Sequence, residues 1–183
     1  SSAAFAERIT ALSEIVVTAS RIQESISSVS GNITRINQET REQVGHTHIN
    51  ELMQRVAGVW ISRGNGQEHL TAIRSPVLTG AGACGAFLLA QDGIPIRANG
   101  FCNVNELFEA NTEQASAIEV IRGPSGVTYG SNALHGVLNV LSPEVKPVGK
   151  VTFEFGANDY LRSKLIYGGE RYRADMHGTR DGG

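Results

Sequence analysis

From about residue 148 onward the chain alternates every second residue, and no other feature constrains its fold as tightly. Val151, Phe153 and Phe155 alternate with Thr152 and Glu154. Leu161, Ser163, Leu165 and Tyr167 alternate with Arg162, Lys164 and Ile166. Tyr172, Ala174, Met176 and Gly178 alternate with Arg173, Asp175 and His177. Asn158-Asp159 and Gly168-Gly169 supply turns between the segments. A period of two places successive side chains on opposite faces of a strand, so these are three antiparallel strands with one apolar or aromatic face and one charged face. A half-buried soluble sheet has this pattern, and so does a barrel wall with lipid outside and water inside. Three strands cannot close a barrel, since the smallest have about eight. As barrel strands they are part of a larger wall. Tyr160, Tyr167 and Tyr172 then fit an interfacial aromatic girdle, or else simply cover a sheet.

The rest of the chain is different in character. It is 183 residues long in all, room for one domain plus an appendage. Sixteen basic residues face 18 acidic ones, a net charge of -2, which excludes an electrostatic nucleic-acid binder. Glycine, at 21 residues, marks a turn-rich chain with much β-structure. The longest uncharged stretch, Ser75 to Gln91, contains Pro76, Gly80, Gly82 and Gly85 and is not a spanning helix. Ala4-Phe5-Ala6 resembles the small-x-small end of a cleaved secretory signal.

Residues 1–30 read as a flexible segment interrupted by Ile15-Val16-Val17, a β-prone patch that is either a first strand or a recognition element. Residues 31–147 read as a compact α+β unit. Asn32–Ile36 is expected as a strand. Asn37 caps a short polar helix over Gln38–Val44 that ends at Gly45. Thr47 is expected to cap a second helix, whose Ile49, Leu52, Met53 and Val56 share one face. Strands follow at Val59–Ile61, with Trp60 read as core, and at Leu70–Ile73, joined by the Arg63-Gly64-Asn65-Gly66 turn. Ala86–Ala90 is apolar throughout and reads as a strand buried on both faces, closed by Asp92-Gly93. Val104–Phe108 is a helix candidate. Ile118–Ile121 and Val137–Leu141 are the remaining strands. Cys84 and Cys102 can pair in an oxidising compartment or stay as buried thiols.

Chemistry is sparse. His46-Thr47-His48 offers two imidazoles without a third ligand, and His69, His135 and His177 stand apart, so no metal site is expected. Gly123-Pro124-Ser125-Gly126 lacks the Gly-Lys-Ser/Thr of a phosphate loop. No nucleophile–base pattern appears, so the chain is not read as an enzyme.

Four runs, in order, resemble the plug domain and first barrel strands of TonB-dependent outer-membrane receptors. Ser13-Glu14-Ile15-Val16-Val17-Thr18-Ala19 is similar to the family's TonB box. Leu52 through Val56-Ala57-Gly58-Val59 resembles its helix end. Phe87-Leu88-Leu89-Ala90-Gln91-Asp92-Gly93-Ile94-Pro95 resembles its buried strand and turn. Ile118-Glu119-Val120-Ile121-Arg122-Gly123-Pro124-Ser125, with Tyr129-Gly130-Ser131, Ala133 and Gly136-Val137-Leu138-Asn139-Val140, is the most specific of the four. Three positions depart from the family pattern. Ala57 stands in place of a usual proline, Ser75 in place of a glycine after Ile73-Arg74, and His135 in place of the first glycine of a pair. A serine at position 75 is costly if the backbone there needs positive φ.

The resemblance implies a plug with a small mixed central sheet, short helices and long loops over 31–147, and antiparallel barrel-type strands over 148–183. It implies active uptake of a scarce nutrient, most commonly a ferric siderophore, across the outer membrane of a Gram-negative bacterium. The plug would sit inside its own β-barrel with a periplasmic N-terminus, and no cofactor is expected. Glu14, Ile15, Val16, Val17, Thr18 and Ala19 would bind the TonB C-terminal domain by strand addition. Arg63, Asn65, Gln67, Thr79, Arg97, Asn99 and Asn103 would lie in the cargo-binding loops. Arg74 and Arg122 would meet barrel carboxylates or stay within the plug. The resemblance places Cys84 and Cys102 in two of those loops and favours a disulfide between them. The other reading is a stand-alone periplasmic binding or interaction module of the same fold, without a barrel.

Overall fold

The computed structural model describes residues 16–17, 24–25, 32–64, 69–75, 87–96, 110–130, 132–180 and 182. The chain divides into two compact units, Ser1–Ser142 and Pro143–Gly183.

In the first unit, β1 (Val16–Val17) and β2 (Glu24–Ser25) form a two-stranded ribbon. β3 (Ile33–Asn37) runs directly into α1 (Gln38–Val44). The junction is Asn37, whose side chain accepts from the Thr40 N–H at 2.8 Å, a cap worth about 1 kcal/mol. Gly45, at φ 58°, ends the helix in the left-handed conformation that glycine adopts without strain. Seven residues, six of them polar, do not hold a helix alone. Arg41 pins α1 instead, donating to the backbone oxygens of Ala115 and Glu113 from a buried position.

The second helix, α2 (Ile49–Met53), buries Ile49, Leu52 and Met53. Its cap differs from the expectation. His48, not Thr47, accepts from the Asn50 N–H at 3.0 Å through Nδ1. The helix begins one residue late because Thr47 gives its own N–H to Glu51 Oε2 at 2.9 Å, and the buried imidazole takes over the acceptor role.

Among the described residues β4 (Val59–Arg63) pairs only with β5 (His69–Ile73). Trp60, read from the sequence as core, is 66% exposed. The alternation explains it: Ile61 takes the inward face of β4, so its neighbour must point out.

The central sheet contains β6 (Phe87–Gln91), β7 (Ile94–Pro95), β8 (Ala117–Arg122) and β9 (Gly136–Leu141), in the order β3-β8-β9-β6-β7. Only β6 and β9 run parallel, so the sheet is mixed. Asp92 and Gly93, at φ 50° and 79°, turn β6 into β7. Gly93 N–H donates to Asn139 Oδ1 at 2.8 Å, and Ser142 N–H to Asp92 Oδ1 at 2.8 Å. One face packs Ile36, Ile118, Val120, Leu138, Phe87 and Leu89 against α2 and the β4–β5 hairpin. The opposite face packs Leu88 and Val137 against Tyr129 of α3 (Gly126–Tyr129) and against Ala133. β6 and β9 are therefore buried on both faces because both are covered, with Asn139 the buried polar exception on β9.

The family departures are accommodated locally. A Cβ at Gly136 would lie 2.5 Å from the Ile121 carbonyl oxygen, so position 136 requires glycine. Positive φ falls on Arg74, at 49°, and not on Ser75.

The second unit is a meander of β10 (Val148–Phe155), β11 (Leu161–Gly168) and β12 (Arg173–Arg180). The register opposes Val151 to Leu165 and Leu165 to Met176 on one face, and Glu154 to Arg162 on the other. Asn158 and Asp159, both at positive φ, make the first turn.

Candidate functional site

Four features of the described residues bear on function, and the N-terminal ribbon is the first. Val16 lies opposite Ser25 and Val17 opposite Glu24 in antiparallel register. Two β-branched residues favour the extended backbone that such pairing needs. Glu14, Ile15, Thr18 and Ala19 lie outside the described residues.

The second feature is the pair Arg74 and Arg122, which the chain topology brings to one point. Arg74 follows β5 directly and Arg122 is the last residue of β8. Arg74 donates from Nη2 to Asn32 Oδ1 at 2.9 Å, and Arg122 from Nη1 to the Ala57 carbonyl at 2.8 Å. The Arg122 backbone N–H and Nε both reach the Asn32 carbonyl, at 2.9 and 3.3 Å. Gly58, at φ 81°, lies between them, and a Cβ there would sit 3.3 Å from Arg74 Cγ and 3.7 Å from Arg122 Cδ. Two cationic side chains thus clamp Asn32, the residue at which the chain enters β3, through neutral oxygens. Both guanidinium groups are solvent-exposed enough to accept further partners.

The third feature is a charged seam across the sheet, which sequence reasoning missed. Arg35 Nη1 lies 2.7 Å from Glu119 Oε1, and the Glu119 side chain has no exposure. Asn139, in register beside Glu119 on β9, is buried too and holds the β6–β7 turn. The only sequence signal was a lone carboxylate in the apolar run Ala117–Ile121.

The fourth feature is the face inversion in the second unit. Its apolar side chains are the exposed ones: Phe153 is 60% exposed, Phe155 79% and Met176 67%. The charged face carries the ion pairs instead. Glu154 meets Arg162 at 3.3 Å and Lys164 at 3.2 Å, and Arg173 meets Asp175 at 2.9 Å. The Arg162 guanidinium also lies 5.7 Å from the Tyr160 ring centroid. A sheet bathed in water on its apolar face is the reverse of what a soluble fold selects.

Other expected site residues are placed as follows. Arg63 sits at the end of β4, exposed, 3.7 Å from Glu51 Oε1. Asn65, Gln67, Thr79, Arg97, Asn99 and Asn103 lie outside the described residues, as do Cys84, Cys102 and the helix candidate Val104–Phe108. His46 and His48 are buried, and each has a structural role. His46 Nε2 is 3.1 Å from Thr112 Oγ1, and His48 packs edge-to-face on His69 with ring centroids 5.3 Å apart. Among the described residues no cluster of three or more His, Cys, Asp or Glu is arranged to hold a metal ion. Burial pulls the Arg41 guanidinium below its ordinary pKa, against the opposing pull of Glu42 and Glu113.

The comparisons agree with this architecture. Residues 25–137 match the model of the TonB-dependent receptor plug domain. The pyoverdine outer-membrane receptor FpvA from Pseudomonas aeruginosa PAO1 superposes with a TM-score of 0.68 at 16% identity, over 91% of this chain and 24% of that one. The alcaligin outer-membrane receptor FauA from Bordetella pertussis gives 0.63 at 16% identity, over 90% of this chain and 28% of that one. The ferric yersiniabactin uptake receptor FyuA from Yersinia pestis gives 0.58 at 18% identity, over 81% and 24%. The chain therefore spans between 24% and 28% of the length of these receptors. By its mixed sheet, its motif order and its match over residues 25–137, this chain belongs to the TonB-dependent receptor plug-domain family.

Proposed function

We propose that this chain is the plug and first wall strands of an outer-membrane receptor that imports a ferric siderophore under tension applied through TonB. One observation carries the reading. A plug-family sheet is followed in the same chain by a strand meander whose apolar face is exposed and whose charged face is ion-paired. Lipid on one side and a polar lumen on the other make that inversion favourable. In a stand-alone module the same face would need a cover to avoid aggregation.

The division of labour follows. The barrel would fix the receptor in the outer membrane of a Gram-negative cell, and the plug would fill its lumen. Cargo would bind at loops that include Arg63, Asn65, Gln67, Thr79, Arg97, Asn99 and Asn103, with Cys84 and Cys102 joined to tie two of them together. That the pyoverdine, alcaligin and yersiniabactin receptors share the fold supports an iron-chelate cargo. The outer membrane has no nucleotide energy source, so the work would enter as a pull on Glu14–Ala19. Each backbone hydrogen bond of an added strand contributes only about 1 kcal/mol net, but several share the load when stretched together. Arg74 and Arg122, already gripping Asn32, would keep the entry to β3 closed at rest and accept barrel carboxylates with their remaining donors.

The test is uptake of radiolabelled ferric chelates by cells carrying the full-length receptor, with and without a functional TonB. Accumulation that needs both proteins supports the reading. Accumulation that is indifferent to TonB contradicts it.

A further inference from the structure

Two residues of the proposed handle, Val16 and Val17, are already strand-paired within their own chain. Among the described residues β1 pairs with β2 alone, which occupies one edge of the strand and leaves the N–H and C=O groups of its other edge without a described strand partner. Along an antiparallel strand, successive residues direct these groups alternately toward and away from the partner. Of Val16 and Val17, one therefore bonds to β2 and the other faces outward.

We infer that β2 is a template. Glu24 and Ser25 hold Val16 and Val17 extended before any partner arrives, and the free edge of β1 is the docking surface for an open sheet edge of that partner. This rests on the handle reading given above. Fixing an unstructured residue into one backbone conformation weakens binding by roughly tenfold, so a prefolded pair removes most of that penalty.

The register also decides what the ribbon cannot do. Val16, through which a pull would enter, lies directly opposite Ser25, through which the chain leaves toward β3. Tension on two adjacent ends opens the pairs one after another and does not shear them together. The ribbon thus sets affinity and then yields, releasing roughly 3.3–3.6 Å of chain per residue before β3 is loaded.

The experiment measures binding of the isolated TonB C-terminal domain to the full-length receptor in detergent. Glu24→Pro with Ser25→Pro removes both N–H donors of β2 and leaves residues 14–19 untouched. The expected result is affinity weaker by about tenfold to a hundredfold, for the two residues no longer held. In a second variant, Val16→Cys with Ser25→Cys, the oxidised protein should bind at least as tightly as the reduced one, with the parent receptor as control for Cys84 and Cys102. Unchanged or tighter binding by the proline variant, or binding lost on oxidation, overturns the template. Val17→Pro separates the two ideas. If it abolishes binding while the β2 prolines do nothing, the handle stands and the template falls. If it binds like the parent, the handle reading fails and the template with it.

Discussion

Arg35 reaches across the β3–β8 pair to place its guanidinium 2.7 Å from Glu119, whose side chain is wholly buried. Among the described residues β3 lies at the edge of the central sheet beside β8, and this ion pair ties its side chains to that neighbour. Removing the arginine takes away the guanidinium that faces this buried carboxylate. Arg35→Met should therefore cost about 2–3 kcal/mol, whereas Arg35→Met with Glu119→Leu should recover most of it. Urea denaturation of the 183-residue chain followed by circular dichroism reads both. A single variant as stable as the parent would show that the pair contributes nothing.

Leu52 has no exposure and lies where α2 meets the sheet. Leu52→Ala should lower stability by about 2–5 kcal/mol, the higher figure if the site cannot collapse. The same denaturation assay decides it, and a loss under about 1 kcal/mol would mean that α2 is not part of the cooperative core.

Arg74 combines a cost with a contribution. Its φ of 49° is unfavourable for a side chain, and its guanidinium donates to Asn32. Arg74→Gly relieves the first and loses the second, each worth about 1 kcal/mol, so the net change should be small. Arg74→Ala keeps the strain and loses the bond, and should be the less stable of the two. Equal stabilities would contradict this account of the residue.

On the meander, the two faces should respond oppositely to charge. Phe153→Arg puts a cation on the exposed apolar face and should cost about 2–4 kcal/mol at mid-membrane depth. Lys164→Gln removes one of two cations beside Glu154 and should be mild. Heat-modifiable migration of the full-length receptor in membranes reports both. Normal assembly of the Phe153 variant would argue against a lipid-facing surface.

What could be read from the sequence was local. Asn37 and Gly45 announce α1 because a cap and a left-handed stop are properties of single residues and their neighbours. The alternation after residue 148 gave the strand register, since period 2 fixes faces once the turns are placed. Trp60 was misread because which face of β4 turns inward is set by what packs against it, and Ile61 takes the inward face. The seam between Arg35 and Glu119 spans 84 residues of sequence and follows from strand order, which no local pattern encodes. The clamp on Asn32 was hidden for the same reason: residues 32, 57, 74 and 122 meet only once four strand ends are assembled. Val17 was identified as a handle residue, but its pairing with Glu24 has no sequence signature.

The most direct test compares cargo binding with cargo entry in one variant. Val17→Pro removes a backbone donor and fixes φ within the proposed handle, far in sequence from every candidate cargo loop. Whole cells carrying the full-length variant should bind ferric siderophore as the parent does, while its accumulation falls to the level of cells lacking TonB. Accumulation at the parent rate would contradict a plug that is opened by tension on its leading segment.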